Sequence, residues 1–220
     1  EIGIALEAVI DARDRPAGNL RITAPRFASD ILLGPRIGDF LNAYPDITLE
    51  IANDDRFVDI VELGFDAGIR MQDSLDADMI AVRIAPDMRT VIAGSPAYFA
   101  RHPIPLHPDD LAAHRCIRRR FANGTIYRWE FDRGDEAMVV AVDGPLIVSE
   151  DRLAMLAALN GAGLAYLFDM RVEDEVAKGR LLRVLADWCQ PYPGPVLYYP
   201  SRRQMRPALR AFIDFFKFGN

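Results

Sequence analysis

Short apolar runs alternate with longer amphipathic stretches from residue 18 onward. Leu20 to Ala24 reads as a strand, and 31–44 carries Leu33, Ile37, Phe40, Leu41 and Tyr44 on one helical face. Pro45 and Asp46 turn the chain. Ile47, Leu49 and Ile51 then alternate with Thr48 and Glu50, the period of a half-buried strand. The spacing predicts a helix over 57–63 closed by Gly64 as its C′ residue. A short buried strand over 67–69 follows, and another over 80–84 with Val82 inward. Strands separated by helices of this length imply parallel βαβ units with right-handed crossovers.

A second series begins with a strand over 89–93. Ser95 and Pro96 then start a helix, serine as N-cap and proline at the first helical position. A helical turn is expected over 109–113 and a strand over 117–120. An antiparallel pair, 127–131 with 138–142, is expected around the segment 132–135. Next come a helix over 152–159 closed by Gly161 and Gly163, a strand over 164–168, a helix over 172–178 ended by Gly179, and a strand over 181–185. Pro191, Pro193 and Pro195 stiffen the crossing to a strand over 196–199. The last helix, 206–218, puts Leu209, Phe212, Ile213 and Phe216 on its core face.

At the front of the chain Ile2, Leu6, Val9 and Ile10 form a single apolar stripe over 1–15, stopped by Pro16. It packs either on its own domain or on a partner helix. Composition shifts near 86–90 and 190–195. The expected organisation is therefore 1–17 as a separate leading helix, lobe I from 18–88 plus 194–220, and lobe II from 89–193. The fold class is α/β, two Rossmann-like lobes joined by crossover strands, with a ligand cleft between them.

The 220 residues are 50% hydrophobic and 26% charged, with a net charge of −6 from 26 basic and 32 acidic side chains. That acidity is a poor footprint for a free-standing nucleic-acid binder. No run approaches the roughly 18 apolar residues of a membrane span, and no signal peptide is read, so a cytoplasmic location is expected. Cys116 and Cys189 lack a CxxC spacing and read as two reduced, part-buried thiols. His102, His107 and His114 lack metal-site spacing, and His114 with Cys116 is only a two-ligand fragment. No GxSxG elbow, GxGxxG or phosphate loop is present, so neither a catalytic residue nor a cofactor is expected.

In doubly wound sheets, ligands sit beyond the carboxyl ends of strands, at helix N-termini. That rule selects four turns: Pro25, Arg26, Phe27, Ala28 and Ser29 after the first strand; Asn53 and Asp54 after the second; Arg70 after the third; Ser149 and Glu150 before the helix of lobe II. Arg26 offers a guanidinium to a carboxylate or phosphate, or is a surface arginine. Phe27 is a pocket wall or core packing. Arg70 opens at the cleft mouth, or pairs with Asp66 or Asp73. Ser149 reads first as an N-cap. Arg118, Arg119 and Arg120 alternate sides of a strand and cannot form one patch, and Arg202 with Arg203 reads as solvated.

Five phrases stand in fixed order: GNLRITAP at 18–25, FDAGIR at 65–70, AGSPAYFARHP at 93–103, NGAGLA at 160–165 and LRAFIDF at 209–215. Together they strongly resemble the effector-binding domain of LysR-type transcriptional regulators of bacteria. The resemblance implies a discontinuous two-lobed fold of the periplasmic-binding-protein type. It also implies a small-molecule effector in the cleft, held by turns matching the four above, with Phe168 beside them. A homodimer or tetramer is implied, with 1–15 as the tail of a linker helix and DNA bound only through an N-terminal domain outside this chain. The two arginines favour an anionic or aromatic effector. Glu150 opposes that, because related sequences usually carry Asn-Asp where Ser149 and Glu150 stand. The alternative is a solute-binding protein of a transporter, which shares the two-lobed cleft.

Overall fold

Strand β1 (Gly18–Ala24) buries Leu20, Ile22 and Ala24 and organises the first of two five-stranded sheets among the described residues. The computed structural model describes residues 16–72, 78–201 and 205–219. The stripe of Ile2, Leu6, Val9 and Ile10 lies outside the described residues, as do Asp73, Arg202 and Arg203. The chain divides into two compact units, Glu1–Pro86 with Pro193–Asn220 and Asp87–Tyr192, and passes between them twice.

In the first unit, β1 is parallel to β2 (Ile47–Asn53) on one side and to β3 (Ala67–Arg70) on the other. Beyond β3 comes β12 (Val196–Pro200), antiparallel both to β3 and to β4 (Met79–Arg83). The sheet order is therefore β2-β1-β3-β12-β4. Gly68 of β3 lies beneath the ring of Tyr198, and a Cβ there would sit 2.5 Å from that ring, so β3 and β12 approach closely only with glycine. The helix Pro207–Phe216 buries Leu209, Phe212, Ile213 and Phe216, the face predicted. Phe212 meets Phe40 edge-on with centroids 5.3 Å apart. Its entry is fixed by Arg206, which donates to the buried Asp66 carboxylate at 3.0 Å and to the Asn19 carbonyl at 2.9 Å.

Two expectations about the helices of this unit fail. Leu41 is exposed, whereas Leu33 and Phe40 are fully buried. The helical run opens with a turn at Arg26–Ala28 and a π turn at Ser29–Leu33 before the helix Gly34–Ala43. A π turn holds more residues than an α turn, so positions after it are rotated relative to a uniform 3.6-residue count. The helix expected over 57–63 is a single turn. The Asp59 carboxylate accepts the N–H groups of Val61 and Glu62, and a Schellman pair, Phe65 N–H to Ile60 O at 2.8 Å and Gly64 N–H to Val61 O at 3.2 Å, closes it. Gly64 is the C′ residue as expected, at φ 69°. Asp59 starts the turn too late for Phe57 to join it.

The second unit has the sheet order β11-β5-β10-β6-β9, built from β5 (Thr90–Gly94), β6 (Cys116–Arg119), β9 (Ile147–Val148), β10 (Leu164–Phe168) and β11 (Leu182–Val184). β10 is parallel to β6 and β6 to β9, whereas β5 runs antiparallel to β10 and β11. Alternation sends Ile92, Cys116 and Leu164 to one face, with Trp129 and Trp188, and Val91, Ala93, Ile117 and Ala165 to the other, against the helices Asp151–Leu159 and Asp169–Ala177. The hairpin of β7 (Trp129–Arg133) with β8 (Glu136–Val140) sits closer to its turn than expected. Its loop is only Gly134 and Asp135, because glycine at φ 63° allows a two-residue reversal. The two helices are tied at their starts by a buried ion pair, Arg171 Nε to Asp151 Oδ2 at 2.9 Å. Cys116 and Cys189 are both free and buried, and burial pushes their thiols up to about 12 and about 11.

One buried histidine in this unit sets an expected pH dependence. Ser95 caps the helix Pro96–Phe99 as expected, with Tyr98 buried behind it. The Tyr98 hydroxyl accepts the Arg115 N–H at 3.0 Å and lies at hydrogen-bond distance, 3.1 Å, from His114 Nδ1. His102 stacks on Tyr98 at 4.1 Å and its ring lies 6.2 Å from that of His114. Burial, followed by the charge of His102, lowers the His114 pKa below 6.5, with Asp110 opposing. A base whose pKa is depressed on folding is protonated first in the unfolded chain. Its contribution is complete above about pH 6.5 and is lost as pH falls toward the folded value. Urea unfolding at pH 7, 6 and 5 should therefore show stability declining with acid. His114→Asn, which keeps a hydrogen-bonding group for Tyr98, should flatten the decline between pH 7 and 6; an unchanged slope would contradict this account.

Candidate functional site

The parallel strands β1, β2 and β3 end on one edge of the first sheet, and the loops that follow them are joined by hydrogen bonds. Asp54 N–H continues the ladder onto the Ala24 carbonyl at 3.1 Å. The Arg26 N–H donates to Asp55 Oδ1 at 3.0 Å, and Ser29 Oγ donates to Asn53 Oδ1 at 2.5 Å. Pro25 occupies the N-cap position of the helical run and has no side-chain acceptor. The carboxylate of the neighbouring loop supplies what the cap lacks.

Arg70 differs from its expectation. It is the last residue of β3 and only 6% exposed, so it does not open at a mouth. Nor does it pair with Asp66, which is held by the Arg21 N–H and Arg206. Its guanidinium donates to main-chain carbonyls: Ile69 at 2.6 Å through Nη1, and Asp54 at 3.0 Å and Arg56 at 2.8 Å through Nη2. Burial lowers its pKa from the ordinary value, while Tyr198, Asp54 and Asp55 oppose the shift, and an arginine stays charged throughout. Arg70 is thus a clamp on the loop 54–56. Arg56 forms a bidentate pair with Asp54, Nε to Oδ1 and Nη2 to Oδ2, which holds that carboxyl below its usual range.

Among the other residues selected from the sequence, Arg26 is exposed, while Pro25, Phe27 and Ala28 are buried, which favours the packing reading of Phe27. Ser149, Glu150 and Phe168 belong to the second unit. They sit at or just past the carboxyl ends of β9 and β10, with β6 between those strands. Ser149 is exposed and is not the N-cap. Glu150 holds that position without a side-chain cap bond, because Asp151 Oδ1 takes the Arg152 N–H from inside the first turn. Phe168 is half-buried at the N-cap position of Asp169–Ala177. Of the arginine run, Arg118 pairs with Asp143, Arg120 donates to the Gly124 carbonyl, and Arg119 lies over the Phe121 ring. Asp55 and Arg56 were not singled out by sequence. The signal was there in three side-chain acceptors, Asn53, Asp54 and Asp55, directly after a strand. Among the described residues no cluster of three or more His, Cys, Asp or Glu is placed to hold a metal, and no helix is long and apolar enough to cross a membrane.

The profile of the LysR substrate binding domain matches residues 13–218. The chain belongs to this family. LysR-type relatives include a putative transcriptional regulator of Pseudomonas aeruginosa, 44% identical over 97% of this chain and 70% of that protein. The HTH-type transcriptional regulator YcaN of Escherichia coli is 41% identical over 100% of this chain and 72% of its own length. Among solved structures, the full-length LTTR-family virulence activator AphB of Vibrio cholerae superposes with a TM-score of 0.82 at 24% identity, covering 98% of this chain and 73% of that one. CrgA, a LysR-type regulator of Neisseria meningitidis, gives 0.81 at 24%, covering 98% and 72%. The fold is that of LysR-type regulatory domains, the periplasmic-binding-protein-like type, as the resemblance implied. The relatives are transcriptional regulators.

The clamp can be tested in this LysR-type domain directly. Arg70→Ala removes charged donors from the Asp54 and Arg56 carbonyls and should cost about 1.5–3 kcal/mol of unfolding free energy. Amide hydrogen exchange should quicken at residues 53–56 more than elsewhere. Uniform exchange across the unit would show that Arg70 does not hold the loop.

Proposed function

We propose that the chain is the ligand-sensing part of a LysR-type transcriptional regulator. A small-molecule effector would bind at the strand-end edge of the first unit formed by Pro25–Ser29 and 53–56. The observation that carries this reading is the convergence of three strand-end loops on one edge of a domain whose family is regulatory. Arg26 is the direct partner for a negative group on the effector, and Arg70 positions the loop beside it. Asp54 and Asp55 add negative charge beside Arg26, so an effector with both a negative and a polar or cationic end suits this edge better than a bare anion. DNA contact falls to a helix-turn-helix segment outside these 220 residues, in keeping with the net charge of −6. The transporter alternative finds no support among the relatives, which are named as regulators.

A thermal-shift screen over small metabolites tests the site. A true effector at 100 times its dissociation constant stabilises by about 2.7 kcal/mol. Its amide shifts should fall at 25–29 and 53–56, whereas duplex DNA should give no shift with these residues alone. A stabilising ligand whose shifts avoid those loops would move the site elsewhere.

The reading includes a homodimer. Leu153 and Leu156, three apart on the helix Asp151–Leu159, are 52% and 44% exposed and form part of an apolar surface that a second copy would cover. Sedimentation should show a dimer that Leu156→Glu shifts toward monomer; a wild-type chain that stays monomeric at high concentration would remove this part of the reading.

A further inference from the structure

Three groups expected to meet a ligand in the first unit are engaged instead by one short segment. Asp55 takes the Arg26 N–H at 3.0 Å, Asn53 takes the Ser29 hydroxyl at 2.5 Å, and the Asp54 and Arg56 carbonyls take Arg70 at 3.0 and 2.8 Å. A carboxylate on the first amide of a helical run is the arrangement that a ligand carboxylate would adopt there. The chain already carries one.

We propose that residues 53–56 are an internal occupant of the effector site, with Asp55 holding the place of a ligand carboxylate that must displace it to bind. This rests on the reading of that edge as the effector site and adds how a ligand enters it. Asp55 is exposed, so its side chain can turn away into water without exposing buried apolar surface. The main chain on either side of it is fixed by Arg70, which is buried. Binding is therefore an exchange of one carboxylate for another on a stationary loop. The affinity of a carboxylate ligand is the difference between its hydrogen bonds and those of Asp55. A weak carboxylate fails to compete, and a ligand that adds contacts beyond Arg26 succeeds. The device sets a threshold against the small carboxylates abundant in any cell.

The test uses acetate and succinate as probes, with the Arg26 amide followed by NMR in the wild-type chain, Asp55→Ala, Asp55→Asn and Asp39→Ala. Asp39 is exposed on the helix Gly34–Ala43 and controls for loss of one negative charge. Asp55→Ala should bind succinate at least about tenfold more tightly than wild type, the lower end of what a charge-assisted hydrogen bond contributes. The Arg26 amide should report the binding, and Asp39→Ala should match wild type. If Asp55 is only a cap, Asp55→Ala lowers the melting temperature and leaves succinate affinity unchanged, which overturns the proposal. A gain equalled by Asp39→Ala, or an Arg26 amide silent in every variant, overturns it too. Asp55→Asn, which keeps an oxygen acceptor, protects the test should the alanine variant unfold, and it too should bind more tightly than wild type. Unchanged affinity with shifts still at 25–29 defeats the internal occupant alone. Shifts confined to other regions defeat the site assignment itself.

Discussion

Main-chain pairing between β1 and its two parallel neighbours holds the candidate site together. β1 and β2 run in step from Gly18 opposite Ile47 to Ala24 opposite Asn53, so their following loops begin at one level. β3 pairs with β1 only at Ala67 and Gly68 and then runs on to Arg70. That extra length carries the guanidinium past the end of β1, to the carbonyls of 54 and 56. A slip of one residue in this register would turn Ile22 and Ala24 out of the core as well as misplacing Arg70, so burial on β1 and geometry at its end are enforced together.

Most of the framework was legible because its signals are local. Ser95 with Pro96 starts a helix, Gly64 closes a turn, and the 2-residue period of Ile47, Leu49 and Ile51 becomes β2. The misreadings share another origin. Leu41 is exposed because a π turn precedes its helix, and no side-chain pattern announces a change in residues per turn. Ser149 lost the N-cap position because Asp151 caps from within the helix while bridging to Arg171, twenty residues on. Arg70 looked like a ligand cation because its acceptors are main-chain carbonyls, which every residue has and no sequence displays.

The candidate site was legible as a set of turns and illegible as chemistry. Parallel strands and the family's phrases select Pro25 to Ser29, Asn53 and Arg70, and the structure joins them. It also shows that the Arg26 N–H, the Ser29 hydroxyl and the two terminal nitrogens of Arg70 already have partners within the chain. The likeness to AphB and CrgA, at 24% identity, fixes the architecture without assigning a role to any of these side chains. The assignment rests on the hydrogen bonds of this chain.

The place of β12 governs the order in which the protein can be made. This strand lies between β3 and β4, yet it is encoded after the whole of the second unit. A ribosome delivers β1 to β4 first, and β4 then has no neighbour in its sheet until residues 196–200 emerge. The second unit, continuous from Asp87 to Tyr192, has all five strands of its sheet by then. During synthesis the inserted unit can close while its host stays open along the flank of β3, where Gly68 keeps room for a Tyr198 not yet translated. That interval of exposed strand edge is where a nascent chain of this topology is most open to mispairing.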